Sequence, residues 1–595
     1  MRDLVFCALR FASYLSRLRH QIGRELCALA TLLALTLAFF WKITFTNLIL
    51  VGLDVFTYFY PYKAYAAWAI RQGRLPLWNP YLFMGVPFLA NPQAGLFYPL
   101  NFPLYWLSAP KMVSYSIVLH VSLAGIFAYL YARLSLGLGR WGAWVAAAVF
   151  AFSGFVGAQV EHVNQLNGSV WLPLLFLLFD LGRRRRSCDG RGSPDRAHSA
   201  SVRRPSAIKG WLYVLLAGLV VGVQFTAGHT QSSYISLFAL GLYAVFPTAR
   251  WVDGRRAGWS WVHREIGRNL LLYILVVLLG LGVAAVQLLP TLELAQLSVR
   301  SGGLPYREAA SFSLKPRLLL LSLLPTFGGE EVFSEYVAYL GIVALALALV
   351  GALFQQRHPV HLFLIFLTAL GLFLGLGGYN PFYFVLYKLV PGFDLFRAPA
   401  RWLYLYTLGG AMLAGLGAEL LGWSMPARAE IVGCETRWLW PMFRRRLLVA
   451  VGALAAPLIL LSPFLDFPTP ITLLAWALLA VLALILLWLG LSDRAAQPGF
   501  RLAVSLIVVG ELFAASRGLA YNHPTAPQAY SSLRTAPAHL LAVRQPTDRV
   551  LSISELTFDP GDLGEIRQIF QDQLPPRAIY DYVVATKLKE ILAPN

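Results

Sequence analysis

The sequence predicts an all-α polytopic membrane protein with about thirteen transmembrane helices, a large first extracytoplasmic loop and a short α/β extracytoplasmic C-terminal tail. Composition is the first reason, because hydrophobic residues make up 58% of the 595 residues and charged residues only 13%, with a mean hydropathy of +0.61. The second reason is that apolar runs long enough to cross a bilayer recur along the chain. The third is that the 49 Lys and Arg residues cluster between these runs, as they do in cytoplasmic loops.

The apolar runs define the predicted spans. Their centres lie near Leu35, Leu123, Ala148, Leu175, Gly218, Leu240, Val277, Leu345, Leu367, Gly410, Ala453, Ala480 and Ile507. An odd number of spans places the termini on opposite sides, and the positive-inside rule favours a cytoplasmic N-terminus and an extracytoplasmic C-terminus. The same rule assigns the formal charge of +20 to topology and anionic membrane lipid, so no nucleic-acid partner is expected.

The chain divides into three regions. Residues 1–25 are predicted to form a basic amphipathic helix on the cytoplasmic leaflet. Residues 26–517 form the multi-span membrane domain, which contains the first extracytoplasmic loop at 46–111 and a flexible Arg-rich cytoplasmic loop at 183–210. Residues 518–595 form an extracytoplasmic C-terminal segment.

The stretch from Leu53 to Pro99 is the most informative part of the first loop. It carries an acid, Asp54, together with basic residues, six prolines and many Tyr, Trp and Asn side chains. Irregular polar backbone is not stable in hydrocarbon, because each unpaired amide costs several kcal/mol. This stretch must therefore lie at the membrane surface or line a wet cavity.

Polar residues elsewhere gather at the outward ends of the predicted spans. They occur in EHVNQLNG, in AGHTQ, in YREAASFSLKPR and in DLFRAPARW, whereas charges within spans are scarce and Glu511 is the clearest. An ion-coupled transporter more often places ionisable groups near the bilayer midplane. The pattern predicts one polar chamber at the outer face.

A carboxylate, several arginines and many aromatic rings in one outer chamber suit glycosyl transfer from a lipid-linked phosphosugar. Asp54 is the candidate general base for the acceptor hydroxyl, and Arg, Lys or a metal ion would stabilise the charge on the departing phosphate. The cofactor is unknown, and a divalent cation is left open. Candidate substrate-binding residues are Tyr58, Tyr60, Lys63, Trp78, Asn79, Tyr81, Asn91, Gln93, Glu161, His162, His229, Gln231, Arg300, Lys315, Arg317, Arg397 and Arg401.

The chain also resembles a known family. DVFTYFYPYKAYAAWAIRQGRLPLWNPYLFMGVPFLANPQAGLFYPLN is similar to the first extracytoplasmic loop of YfhO-type bacterial membrane proteins, and AGHTQ, SFSLKPRLLLLSLLPTFGG and DLFRAPARW match further along in order. The resemblance implies a GT-C-like glycosyltransferase fold, location in the bacterial plasma membrane, a polyprenyl-phosphate sugar donor, and an envelope polymer or lipid as acceptor. It also implies that Asp54 is catalytic.

One departure from the family concerns the C-terminus. Family chains typically continue past an APN-like element into a larger extracytoplasmic domain, whereas this sequence ends at Ala593, Pro594 and Asn595. The segment 518–595 is therefore expected to be only part of that domain.

Each candidate also has an ordinary structural explanation. Asp54 is also suited to ending a helix, and the pair Glu161 and His162 to capping a short turn. A lone histidine such as His229 often satisfies a buried carbonyl. The aromatic residues fit an interfacial belt equally well, and Asn79 and Asn91, each followed by Pro, favour turns.

Two further alternatives concern the arginines and the function. Arg397 and Arg401 have the i, i+4 spacing of one helix face, but Pro399 between them favours a bend, and both are also suited to lipid headgroups. A lipid-linked-sugar flippase or transporter, and a non-enzymatic scaffold of envelope assembly, remain alternatives to the enzyme.

Overall fold

The structure is a computed structural model. It describes residues 2–52, 54–82, 85–183, 207–246, 251–252, 255–256, 259–298, 301–327, 332–355, 358, 360–423, 427, 436–490, 497–517, 519, 524–527 and 530. Most of the Arg-rich loop at 183–210, most of the segment 518–595 and the candidate Arg300 lie outside these residues.

Most of the described chain is helical, and each predicted span centre lies in a helix. The helices that hold these centres are α1 (Arg2–Phe39), α4 (Ala109–Leu130), α5 (Arg140–Ala151), α8 (Leu172–Arg183), α9 (Ala207–Thr226), α10 (Thr230–Val245), α11 (Trp259–Gln296), α14 (Ile342–Phe354), α15 (His361–Gly375), α17 (Leu403–Leu421), α18 (Thr436–Leu461), α19 (Pro470–Gly490) and α20 (Pro498–Arg517). The prediction of an all-α membrane protein is confirmed.

Short helices and strands connect these long helices. The helices are α2 (Trp41–Phe45), α3 (Tyr60–Arg71), α6 (Gly154–Ala158), α7 (Val163–Ser169), α12 (Tyr306–Ala309), α13 (Leu319–Leu323) and α16 (Pro381–Leu389). The strands form three antiparallel pairs of two residues each: β1 (Ile49–Leu50) with β6 (Pro524–Thr525), β2 (Trp78–Asn79) with β3 (Val86–Pro87), and β4 (Trp251–Val252) with β5 (Arg255–Arg256).

Eight segments of the described chain are long and apolar enough to cross a membrane: Gln21–Phe39, Ala109–Ser135, Arg140–Ala158, Val163–Arg183, His263–Gln296, Pro399–Leu421, Pro470–Gly490 and Pro498–Arg517. Three shorter apolar helices, Gly210–Thr226, Ile342–Phe354 and His361–Gly375, add to them. The protein is a multi-pass membrane protein. The number thirteen stays a prediction.

Helix α1 differs in layout from the sequence expectation. The sequence suggested a surface helix over 1–25 followed by a separate span, whereas the structure has a single helix of 38 residues, Arg2–Phe39. This stretch contains no proline and one glycine, Gly23, and most of its residues are good helix formers. Nothing in the local sequence therefore breaks the helix.

Helix α17 lies at the centre of the bundle. Of the apolar window in Pro399–Leu421, 94% is buried, against 22% or less for the windows in Gln21–Phe39, His263–Gln296 and Pro470–Gly490. Helices α5, α14 and α15 pack around α17. Its sequence, LYLYTLGGAMLAGLGAELL, is rich in Gly and Ala, and small residues let helix backbones approach closely in membranes.

The buried acid Glu511 has a structural role. Its carboxylate accepts the backbone N–H of Ile342 and, at 3.2 Å, that of Val343. These are the first residues of α14, whose initial N–H groups have no partner within the helix. Glu511 on α20 therefore caps α14, which accounts for the charge within a predicted span.

The bundle has two chemically distinct ends. We call "loop end" the end that holds residues 46–52, 54–82 and 85–108 and the connections at 159–162, 227–229 and 376–402. We call the opposite end "basic end". It carries Arg133 and Arg140, which pair with Glu25 at 2.7 Å and 2.9 Å. The candidate site lies at the loop end.

Candidate functional site

Asp54 stands at the start of the helical part of the first loop. A π-helical turn, Val55–Phe59, follows it and continues into α3. The Asp54 side chain makes no capping hydrogen bond to this turn, and 48% of it is exposed. Capping therefore does not account for this acid, which presents its carboxylate to solvent at the loop end.

The turn between α6 and α7 lies directly against Asp54. The His162 Nε2 atom is 3.5 Å from the Asp54 Oδ2 atom. Glu161 lies close to Gly52, because a Cβ atom added to Gly52 would be 3.3 Å from Glu161 Oε1. The structure thus joins the predicted acid of the first loop to the predicted EHVNQLNG motif.

A series of side chains fixes the rest of the first loop by holding its backbone carbonyls. Gln287 and Thr291 of α11 donate to the Leu89 and Ala90 carbonyls at 2.8 and 2.9 Å. Asn164 of α7 donates to the Gln93 carbonyl at 2.6 Å. Since buried carbonyl groups need partners, these contacts dock the LANPQ stretch onto the bundle.

Gly228 completes this contact. Its φ is +99°, and a Cβ atom there would lie 2.9 Å from the Pro92 carbonyl oxygen and 3.0 Å from the Asn164 side chain. Only glycine fits both the backbone conformation and the space. The glycine of the AGHTQ motif therefore lets the first loop approach α7 and the start of α10.

A buried ion pair lies beneath this surface. The Arg401 Nε atom donates to both carboxylate oxygens of Glu335 at 3.0 Å, and its Nη2 atom donates to Oε1. Glu335 is 5% exposed and Arg401 17%. Although burial alone raises a carboxyl pKa, the charge and hydrogen bonds of Arg401 hold the pKa of Glu335 below its usual value.

Gln231 joins the ion pair of Glu335 and Arg401 to the backbone at Arg397. Its Oε1 atom accepts Arg401 Nη1 at 2.7 Å, and its Nε2 atom donates to the Arg397 carbonyl at 2.8 Å. Sequence reasoning missed Glu335. The available signal was an acid directly before the apolar stretch YVAYLGIVALALALV.

His229 caps α10. Its Nδ1 atom accepts the Ser232 N–H at 3.2 Å and lies 2.8 Å from Ser232 Oγ. Burial, together with the charges of Arg401 and His162, lowers the pKa of His229 well below its ordinary value, so the ring is neutral. His229 thus accepts a backbone N–H, whereas the sequence suggested a buried carbonyl as its partner.

Arg397 and Arg401 do not share one face. Ala398 between them adopts a left-handed conformation with φ of +61°, and a 3-10 turn begins at Pro399. Arg401 turns inward to Glu335, whereas Arg397 is exposed and lies with its guanidinium carbon 5.7 Å from the centroid of the Phe312 ring. The bend expected from Pro399 is present.

Tyr60 and Lys63 lie in the core and do not line an open surface. Tyr60 is fully buried, and its hydroxyl donates to the Leu50 carbonyl at 2.9 Å. Lys63 is 2% exposed and donates to the Ala94 carbonyl at 2.9 Å. Burial lowers the pKa of Lys63 to about 8. Both side chains hold the first loop together, and their role as substrate ligands stays a prediction.

The two Asn-Pro pairs form turns. Asn79 Oδ1 accepts the Tyr81 N–H at 2.9 Å, and Asn91 Oδ1 accepts the Gln93 N–H at 3.0 Å. Each is an Asx turn, in which the side chain binds the backbone two residues on. Asn91 also donates to the Tyr58 hydroxyl at 3.0 Å, so it orients a ring next to Asp54.

Aromatic rings extend from Tyr58 along one face of α3. Tyr58 stacks on Tyr62 with centroids 4.1 Å apart, and Tyr62 stacks on Phe88 at 5.4 Å. The row continues through Tyr65, whose hydroxyl donates to the Trp78 carbonyl at 2.6 Å. At its outer end the exposed rings are Trp68, Trp78 and Tyr81.

The remaining cationic candidates lie along 311–317. Arg317 is exposed and pairs with Asp466, on the connection between α18 and α19, at 3.6 Å. Lys315 precedes a 3-10 turn, Pro316–Leu318, and is partly exposed. Arg317 therefore contacts the α18–α19 connection.

The described part of the chain holds no preassembled cluster of metal ligands, and the divalent cation stays an open prediction. No group of three or more His, Cys, Asp or Glu side chains is placed there to hold a metal ion. Asp54 and His162 form a pair, and Mg²⁺ can be held by one or two protein carboxylates when a substrate phosphate supplies further ligands. No step of the chemistry below is assigned to a metal.

Buried polar atoms beside His162 mark a wet or ligand-binding region. Gln159 Nε2 and Oε1, His162 Nδ1 and Asn164 Oδ1 are buried without a protein partner. Buried polar groups are otherwise nearly always hydrogen-bonded, so such atoms indicate water or a polar ligand. They lie on the turn that contacts Asp54.

Comparisons with known proteins leave the family open. No family model matches the chain, and no curated protein matches it. The resemblance to YfhO-type proteins therefore stays a prediction.

Two solved structures are similar to the chain at low identity. One is ArnT from Cupriavidus metallidurans bound to undecaprenyl phosphate, with 13% identity and a TM-score of 0.40 over 83% of this chain and 78% of that chain. The other is the oligosaccharyltransferase of Archaeoglobus fulgidus tethered with an acceptor peptide, with 14% identity and a TM-score of 0.42 over 94% of this chain and 59% of that chain. At these values neither likeness defines a shared fold, and the all-α architecture rests on the chain's own helices.

Proposed function

We propose that the protein is a membrane glycosyltransferase that moves a sugar from a polyprenyl-phosphate donor to an acceptor of the cell envelope outside the cytoplasm. The observation that carries this proposal is the carboxylate of Asp54 at the loop end. It is half-exposed, caps no helix and lies beside His162. A general base must be ionised and within reach of the proton it removes. Because its carboxylate is half-exposed, Asp54 can be reached by an acceptor hydroxyl.

The proposed reaction is a displacement at the anomeric carbon of the donor. Asp54 takes the proton of the acceptor hydroxyl while that oxygen forms a bond to the anomeric carbon. The bond from this carbon to the phosphate oxygen breaks, and the phosphate leaves with the electron pair. The products are the glycosylated acceptor, the polyprenyl phosphate and a proton held on Asp54, and a cationic side chain stabilises the phosphate charge.

The distribution of ionisable groups supports this proposal over an ion-coupled transporter. Asp54, His162, Glu335 and Arg401 gather at the loop end, and Glu511 within α20 is accounted for as a helix cap. A transporter would place such groups near the bilayer midplane on broken helices. The aromatic face of α3 supplies rings against which sugars can stack beside the base.

Asp54→Asn tests the proposal, because it keeps the size of the side chain and removes the base. We expect transfer of sugar from a polyprenyl-phosphate donor to fall by about 100-fold or more. The assay uses purified protein in proteoliposomes, with radiolabelled sugar counted in the acceptor. Asp466→Asn is the matched control, since Asp466 is also an exposed acid at the loop end, and it should keep full activity.

Two results would contradict the proposal. Full activity of Asp54→Asn would remove this residue as the base. Movement of the labelled lipid across the bilayer, with no acceptor modified under any condition, would instead support the flippase.

A further inference from the structure

A relay of hydrogen bonds leads from a buried acid to an exposed arginine. Glu335 binds Arg401, Arg401 donates to Gln231, and Gln231 donates to the backbone carbonyl of Arg397. Four residues from three distant parts of the chain are thus connected by direct contacts. The first three are partly or fully buried, whereas the Arg397 side chain is exposed.

Arg401 is fully engaged inside the protein. It uses Nε and Nη2 on Glu335 and Nη1 on Gln231. Breaking a buried pair leaves an uncompensated charge, which is strongly unfavourable. Arg401 is therefore a structural partner of Glu335 and Gln231.

Gln231 connects the pair of Glu335 and Arg401 to the backbone of Arg397. Its amide oxygen accepts from Arg401 and its amide nitrogen donates to the Arg397 carbonyl. Because oxygen only accepts and nitrogen only donates, both ends of the amide are fixed in one orientation. The backbone of Arg397 is thereby tied to the buried ion pair.

Strained backbone surrounds Arg397. Within the described ranges, Phe312 with φ of +56° and Ala398 with φ of +61° are the residues other than glycine that have positive φ. They lie together, because the Ala398 N–H donates to the Ser311 carbonyl at 3.0 Å and the Ala400 N–H to the Phe312 carbonyl at 3.4 Å. Such strain persists only where surrounding contacts hold it, and it clusters at functional sites.

Arg397 itself is available for an anion. It takes part in no ion pair among the described residues, and its guanidinium lies over the Phe312 ring. Lys315, three residues beyond Phe312, is likewise absent from those pairs. A guanidinium presents several N–H donors in a fixed plane, a geometry that matches a phosphate group.

We infer that Arg397 binds the phosphate of the polyprenyl donor and that Glu335 is a positioning residue that acts through Arg401 and Gln231. This inference rests on the proposed function. It selects Arg397 from the cationic candidates, and it assigns a role to an acid that the sequence did not reveal.

The test measures binding of undecaprenyl phosphate to the purified full-length protein in lipid nanodiscs. We expect Arg397→Ala to raise the Kd by about 10-fold or more, since a charge-assisted contact is lost. Glu335→Gln and Gln231→Leu should each raise the Kd by about 5-fold. Gln231→Leu keeps both buried charges and serves if Glu335→Gln does not fold. The controls Arg307→Ala and Glu308→Gln change exposed residues of α12 and should leave the Kd unchanged.

The double variant separates positioning from a general loss of structure. If Glu335 acts through Arg397, then Glu335→Gln should not weaken binding further in the Arg397→Ala background. Independent, multiplicative losses in the double variant would overturn the relay. So would a Kd that stays at the wild-type value in Glu335→Gln and Gln231→Leu while the thermal midpoint falls.

Two further binding measurements identify the ligand and separate this inference from the proposed function. Excess phosphatidylglycerol should not displace undecaprenyl phosphate, and equal competition would overturn the assignment to the donor. Asp54→Asn should bind undecaprenyl phosphate normally while losing transfer. If Arg397→Ala also binds normally, the inference fails and the role of Asp54 stands.

Discussion

Lys63 is a buried ammonium group in the first loop, and its surroundings make the stability of the protein depend on pH. Its Nζ atom donates to the Ala94 carbonyl at 2.9 Å, and burial lowers its pKa from 10.5 to about 8. Between those two values the unfolded chain binds a proton that the folded protein has released. Unfolding then takes up protons, so the free energy of unfolding rises with pH across this window.

We predict that Lys63→Met removes this rise. The wild-type protein should gain on the order of 3 kcal/mol from this residue between about pH 8 and pH 10.5, and below pH 8 the contribution is constant at its lowest value. Thermal midpoints of wild type and variant in detergent, compared from pH 7 to pH 10, measure the difference. Lys42→Met, which changes an exposed lysine, is the control and should keep the wild-type slope. If the thermal midpoint of Lys63→Met rose with pH as steeply as that of the wild type, the prediction would be contradicted.

At the scale of elements, α14 and α17 meet through a reciprocal pair of glycines. A Cβ atom at Gly351 would collide with the Leu413 carbonyl oxygen, and one at Gly417 with the Leu347 carbonyl oxygen. In both cases the obstacle is backbone of the facing helix, which cannot rotate away as a side chain can. The contact buries α17, which continues directly from Arg401 and its turn.

We predict that Gly417→Ala and Gly351→Ala each destabilise the protein by about 3 kcal/mol, since overpacking against backbone forces the helices apart. The measurement is the midpoint of unfolding in detergent. Gly452→Ala is the matched control, because a Cβ atom on this glycine of α18 meets nothing within 4 Å. It should be neutral or stabilising by up to about 1 kcal/mol. Equal midpoints for all three variants would show that the helices do not approach this closely.

The elements also explain what the sequence could and could not predict. Hydropathy is a local property, so the positions of the long helices were predictable from runs of apolar residues. Asx turns at Asn79 and Asn91 were predictable for the same reason, because their signal spans two residues. The continuous helix α1 was missed because a basic stretch and an apolar stretch differ in polarity but not in helix propensity.

The contacts that build the site were not predictable, because they join distant residues. Glu335 and Arg401 are 66 positions apart, and Gln231 and Arg401 are 170 apart. No spacing rule within one helix or strand connects such pairs. The burial of Lys63 was not predictable for a related reason, since it depends on how the residues up to Ala94 fold back over α3.

At the scale of the whole molecule, the two ends of the bundle define an orientation. Strand β6, which follows α20, pairs with β1 at the start of the first loop, Ile49 opposite Thr525 and Leu50 opposite Pro524. The end of α20 is therefore at the loop end, together with Asp54. The Glu25 cluster and Arg501, which donates to the Gly422 carbonyl at 2.6 Å, lie at the basic end.

We predict that the loop end faces the outside of the cell, because the positive-inside rule places the basic end in the cytoplasm. In a background without cysteines, Gln72→Cys lies in the exposed turn after α3 and Gln497→Cys in the exposed start of α20. A membrane-impermeant maleimide added to intact spheroplasts should label Gln72→Cys strongly. It should label Gln497→Cys only after the membrane is permeabilised. The reverse pattern would place Asp54 on the cytoplasmic side, where no extracytoplasmic acceptor could reach it.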